Sequence, residues 1–220
     1  GANDEATGVD LPYTFAAPGT YDELKKLLAK HCTSPHTLDV ILQRVRVCNA
    51  IKLNSDNRHD MQVLYGVLMQ HYDALAGTSP PPMAYIDALV PHLYTMAAEV
   101  PLYAATAARA RLAKIQAQLL AAQKVGEAGA WPSDRALLLL RLFLLMFPPS
   151  DFRHPVLAPL TVTLGHFLSQ CHLQGGRDAA AALFLCSLAH SLAAPAKRVM
   201  PEALECLCLL LCSAAPPPSK

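Results

Sequence analysis

Three residues able to do chemistry, Asp151, Arg153 and His154, stand together in Phe147-Pro148-Pro149-Ser150-Asp151-Phe152-Arg153-His154-Pro155. A carboxylate, a guanidinium and an imidazole could act as an acid–base set or hold an anion. No catalytic machinery surrounds them in the sequence. Two readings stay open. In one, Asp151 and Arg153 form an internal ion pair and cap that fixes a bend. In the other, all three anchor a partner.

The cysteines invite a second chemistry. Cys206, Cys208 and Cys212 look like a metal cluster, yet on a helix Cys206 and Cys208 point about 200° apart and cannot share an ion. Cys208 and Cys212 lie one turn apart but would need two more ligands, which a zinc site draws from paired short spacings. Cys186 and His190 are spaced as a thiol and its base. The leucines at 183, 185, 188 and 192 would raise that thiol's pKa instead of lowering it. Buried, reduced thiols in an intracellular protein are the plainer reading of all seven cysteines. Gly175-Gly176 has no strand before it and makes no phosphate loop. No cofactor, metal or small-molecule substrate is expected.

A third chemistry is phosphate binding. Arg109, Arg111, Lys114 and Lys124 lie between Pro101 and Gly126, a stretch without acids. Arg111 and Lys114 share a helix face, and Arg44 and Arg46 add charge elsewhere. Such residues could touch an RNA backbone, and the alternative is an ordinary solvated face. With no interleaved aromatics, contact would be to phosphates and not to bases.

Composition limits what remains. Of 220 residues, 53% are apolar and 16% charged, so many side chains must be buried. A net charge of +1 supplies no bulk attraction for nucleic acid or membrane, although a local patch could bind. The longest apolar run, Ala136–Phe147, contains Arg141 and suits a core helix better than a membrane span. The start, Gly1-Ala2-Asn3-Asp4-Glu5, lacks the pattern of a signal peptide. Gly1 and Lys220 look like cut ends of a longer chain.

The elements that must position these residues are helical. Residues 1–19 read as an extended arm in which Leu11, Tyr13 and Phe15 alternate. Thr20-Tyr21-Asp22-Glu23 is a capping box opening the first helix. Ser34-Pro35 caps the second, and Asn54-Ser55 starts the third. A fourth carries Ile86, Leu89, Val90 and Leu93. Pro101 opens an alanine-rich fifth that ends at Gly126 and Gly129. Trp131-Pro132-Ser133-Asp134 caps the sixth. Three more follow the proline bend: Pro155–Cys171, Arg177–Leu192 and Pro201–Ala214. The alternation in Leu160-Thr161-Val162-Thr163-Leu164 sits inside a helical pattern and is read as helix.

About nine helices with short loops give an all-α chain, a single repeat domain over residues 20–215 built as an α-solenoid of antiparallel pairs of the HEAT or armadillo type. Residues 216–220 read as a proline-rich linker. The helices after Ala136 are apolar on most faces, and such a helix must be covered on all sides. A covering partner, or further segments of the chain, is therefore expected over the C-terminal half.

Three segments resemble one family. They are Leu11-Pro12-Tyr13-Thr14-Phe15-Ala16-Ala17-Pro18 with Tyr21-Asp22-Glu23-Leu24, Ser150-Asp151-Phe152-Arg153-His154-Pro155-Val156, and Pro201-Glu202-Ala203-Leu204 leading to Ala214-Ala215-Pro216. In this order they resemble the nucleolar protein 14 family, a component of the small-subunit processome. The resemblance implies a non-enzymatic assembly factor of the nucleus and nucleolus, acting with the U3 snoRNP on pre-rRNA. It implies two protein partners, a helical-repeat nucleolar complex protein and the rRNA pseudouridine N1-methyltransferase. No functional residue is carried onto the Pro101–Ala128 helix from the family.

Overall fold

The computed structural model describes residues 11–54, 57–124, 131–147, 149 and 154–214. Among them are nine α-helices and no strand. The chain packs into two compact units, residues 1–101 and 102–220.

The first unit holds α1 (Tyr21–His31), α2 (Pro35–Cys48), α3 (Asn57–Ala76) and α4 (Met83–Glu99). The Thr20 hydroxyl accepts the Glu23 amide. The Glu23 carboxylate reaches past the cap and accepts the Gly19 amide at 2.8 Å, so the expected box closes one residue further out. At α2 the box is reciprocal: Ser34 accepts from the Thr37 amide, and the Thr37 hydroxyl accepts from the Ser34 amide. Helix α3 is described from Asn57, and Ser55 of the expected start lies outside the described residues. The Asn57 side chain donates to the Ala50 carbonyl at 3.0 Å and its amide to the Asn54 carbonyl. Helix α1 packs on α3, α2 on α4, and α3 on α4. Their stripes, including Leu24, Ile41, Leu64, Tyr72, Ile86 and Leu93, are buried as one core.

The arm over residues 11–18 lies on this unit. The Arg44 guanidinium donates to the Leu11 and Pro12 carbonyls at 2.9 and 2.8 Å and stacks over Tyr13. Asn49 donates to the Phe15 carbonyl, and the Phe15 ring is buried edge-on to His31.

The second unit holds most of α5 (Pro101–Lys124), then α6 (Asp134–Met146), α7 (Leu157–Gln170), α8 (Gly176–Ala193) and α9 (Pro201–Ala214). Helix α8 packs on α6, α7 and α9, and α7 packs on α9. Helix α8 is also long and apolar enough to cross a membrane, but it is the central helix of this unit, with Leu185, Cys186, Ala189 and Leu192 buried. Gln116 of α5 donates to Thr163 of α7 at 2.8 Å. The Trp131 indole N–H donates to the His172 carbonyl and ties the start of α6 to the end of α7. The 160–164 segment is helical, as its surroundings required.

Helix α7 starts at Leu157, two residues later than expected from Pro155. The Val156 amide donates to the His154 imidazole Nδ1 at 3.3 Å, which holds Pro155 and Val156 in a turn ahead of the helix. Helix α8 closes through a 3-10 turn at Ala194–Ala196. Lys197 follows in the left-handed region at φ 51°, with its amide on the Ala194 carbonyl and the Arg198 amide on Ala193. That reversal sets Arg198–Met200 opposite α7.

Candidate protein-docking surface

Asp151 and Arg153 lie outside the described residues. His154 is half-buried. Its ring sits 5.0 Å from that of Phe147, and its nitrogen caps Val156. Its visible contacts are therefore those of a joint between α6 and α7.

The α5 cations are not gathered into one patch. Arg109 and Lys114 are exposed, while Arg111 is half-buried with its guanidinium donating to the Ala107 carbonyl at 3.2 Å. Arg111 and Lys114 are about 60° apart around the helix, and Arg109 is about 160° from Arg111. Arg44 and Arg46 are not solvated phosphate contacts. Arg44 holds the arm, and Arg46 enters a network that sequence reading missed.

That network joins α2 to α4. His92 is only 4% exposed. Its Nε2 lies 2.9 Å from an Asp39 carboxylate oxygen, and its Nδ1 lies 3.2 Å from Arg46 Nη1. Arg46 can only donate, so Nδ1 accepts and the ring proton sits on Nε2, facing Asp39. Arg46 also reaches Glu99 at 3.8 Å, while its buried Nε has no acceptor among the described residues. Burial holds the His92 pKa below the usual histidine value. Asp39 works against that shift and Arg46 adds to it. The signal available in sequence was Asp39 and Arg46 seven apart on one face of α2, with His92 on a helix that had no other visible use for it.

Of the seven cysteines only Cys186 and Cys206 are buried, and Cys208 and Cys212 are exposed, so the expectation of buried thiols holds for part of the set. Burial pushes the Cys171 thiol up to about 11 and the Cys186 thiol up to about 12, and raises Cys206 as well. Cys186 donates weakly to the Ala203 carbonyl at 3.7 Å. A thiol held that high is protonated and a poor nucleophile. Among the described residues, no three His, Cys, Asp or Glu side chains are grouped to hold a metal.

The largest chemical signal in the second unit is apolar and outward-facing. Helix α9 buries only Ala203 and Cys206. Leu204, Leu209 and Leu211 are 55%, 57% and 73% exposed, and Cys208 and Cys212 are exposed beside them. Two clefts adjoin the same unit. One of about 460 Å³ runs along α6 and α8, lined by Leu144, Leu145, Phe184 and Leu188 with Arg141. The other, of about 450 Å³, lies between α7 and the start of α9. Among the described residues, most of α6 is buried, with Leu145 46% exposed, whereas α9 buries only Ala203 and Cys206, so the expectation for the C-terminal helices splits.

The whole chain, residues 1–220, matches the model of the Nop14-like family. It belongs to that family. It is 33% identical to human nucleolar protein 14 and 31% identical to the mouse protein, over 96% of this chain and 24% of each of those proteins. A fission-yeast relative, probable nucleolar complex protein 14, is 24% identical over 92% of the chain. The chain therefore spans about a quarter of the length of these relatives. Their names support a nucleolar localisation for this Nop14-like chain.

Proposed function

We propose that this Nop14-like chain is a non-enzymatic helical scaffold in ribosome biogenesis. It would hold other small-subunit processome proteins while pre-rRNA is processed beside the U3 snoRNP. The observation that carries the reading is the uncovered face of α9. Leucines and cysteines over two turns, without a basic residue among them, fit a protein surface and not a phosphate backbone. In the first unit α3 packs on its neighbour α4 while α1 packs on α3 and α2 on α4; in the second α8 packs on α7 and α9 while α6 packs on α8 and α7 on α9. This mix of neighbour and next-neighbour packing supports an α-solenoid. Proteins of the kind implied by the family resemblance, the helical-repeat nucleolar complex protein and the pseudouridine N1-methyltransferase, are the proposed occupants.

The test is capture from nucleolar extract across a salt series. Partners held by apolar burial stay bound at high salt, whereas phosphate contacts weaken steeply. The variant Leu209→Glu/Leu211→Glu should keep its melting temperature and lose the salt-resistant partners. Loss of every partner at high salt would defeat the scaffold reading. The second reading is a solenoid that binds rRNA through Arg109, Arg111 and Lys114, favoured by the acid-free exposed face of α5. It requires that alanine at those three positions abolish RNA binding by this chain.

A further inference from the structure

The cleft between α7 and the start of α9 has a chemistry that the scaffold reading does not specify. Gly165, Leu192 and Ala193 are buried at its floor, while Val162 and Val199 stand 50% and 67% exposed at its rim. Glycine inside a helix costs about 1 kcal/mol relative to alanine. A Cβ at Gly165 would meet nothing closer than the Glu202 carboxyl at 3.7 Å, an ordinary contact. Close packing therefore does not require glycine here. What the missing side chain leaves is depth.

Glu202 hangs over that floor. As the second residue of α9 it gains from the positive end of the helix. Among the described residues, however, nothing pairs with its carboxylate, which is half-buried beside Val162, Leu192 and Met200. An unpaired acid in an apolar cleft is complementary to a cation carried on an apolar segment. The rim also bears Arg198 and His166, which alone would suit a phosphate. Glu202 would repel a phosphate strand there, and Val162, Leu192, Val199 and Met200 offer it no hydrogen bond.

We propose that this groove seats a basic amphipathic segment of a protein partner. One aliphatic side chain enters over Gly165, and a neighbouring lysine or arginine pairs with Glu202. This rests on the scaffold reading and gives it a site.

The test uses the full 220-residue chain and fluorescence anisotropy with three labelled probes. These are a leucine–lysine helical peptide, the same peptide with glutamate for lysine, and a short oligouridylate. The leucine–lysine peptide should bind at least about tenfold more tightly than its acidic twin. Gly165→Leu, which fills the floor, and Glu202→Lys should each weaken it by about tenfold or more, a difference of about 1.4 kcal/mol. Glu202→Lys should also turn preference toward the acidic peptide, a gain that a misfolded variant cannot show. Gly165→Ala should bind like the parent. Equal binding of the two peptides, no binding of either, or indifference to Glu202→Lys overturns the proposal. So does tighter binding of oligouridylate that Arg198→Ala removes. If these variants change nothing while partners survive high salt, the groove fails and the scaffold stands. If salt strips every partner, the scaffold reading fails whatever the peptides do.

Discussion

His92 shows what one buried imidazole can hold in place. Its two nitrogens do opposite jobs, accepting from Arg46 on α2 and donating to Asp39 on the same helix. Truncation to alanine would leave buried Arg46 donors without an acceptor, so His92→Ala should destabilise the fold by about 2 kcal/mol in chemical denaturation. The same residue sets a pH dependence. The folded pKa values of His92 and of half-buried His71 are both lowered, chiefly by burial. Below the ordinary histidine pKa of about 6.5 the unfolded chain therefore binds more protons than the folded one. Stability is fully present above that value and falls as the pH drops through it. Unfolding free energy should be lower near pH 5.5 than near pH 7.5, and His92→Gln should flatten the difference. A slope unchanged by that variant would place the titration elsewhere. The network was hidden in the sequence because its members are 53 positions apart at their widest pair, and nothing local joins α2 to α4.

Helix ends are the most legible elements of this chain. Thr20, Ser34 and Ser133 each cap the helix that their sequence position announces. A cap works within four residues, so local spacing suffices to reveal it. Ser34→Ala should cost about 1 kcal/mol, measured as a shift in denaturation midpoint, and more than Thr20→Ala if the reciprocal box adds to it. The start of α7 is less legible, because Pro155 is compatible with a first helical turn, whereas the Val156 amide bonds to the His154 imidazole ahead of the helix. Lys197 is a turn of the opposite kind. A non-glycine residue in the left-handed region carries a strain of about 1–2 kcal/mol, part of which glycine returns as chain entropy. Lys197→Gly should stabilise the chain by a few tenths to about 1 kcal/mol, and a rise in melting temperature checks it.

For the whole molecule, the question is which surfaces are finished. The first unit buries one core across its four helices, with its arm fastened by Arg44 and Asn49. The second leaves α9 uncovered and two apolar clefts open. The reading of residues 20–215 as one repeat domain becomes a measurable proposal: calorimetry should give one cooperative transition if the two units act as a single solenoid, and two if they do not. An isolated chain with α9 exposed should also self-associate as concentration rises, and Leu209→Glu/Leu211→Glu should suppress this in analytical ultracentrifugation.

The all-helical class, the caps at Thr20, Ser34 and Ser133 and the burial of most of the 136–147 run follow from the sequence, because 3.6-residue periodicity, caps and low charge act over a few turns. The segments that resemble the nucleolar protein 14 family were also readable as residues in order. Where each charge goes was not. Arg44 and Arg46 look like free cations in the chain and are internal fasteners in the fold. Arg109, Arg111 and Lys114 follow closely in the chain, yet Arg109 stands about 160° around α5 from Arg111, which shares a face with Lys114. Helices α6 and α9 are almost equally apolar on paper, yet among the described residues α6 buries seven side chains and α9 two. Cover is a property of what packs alongside, and neighbours distant in the chain are fixed only when the chain has folded.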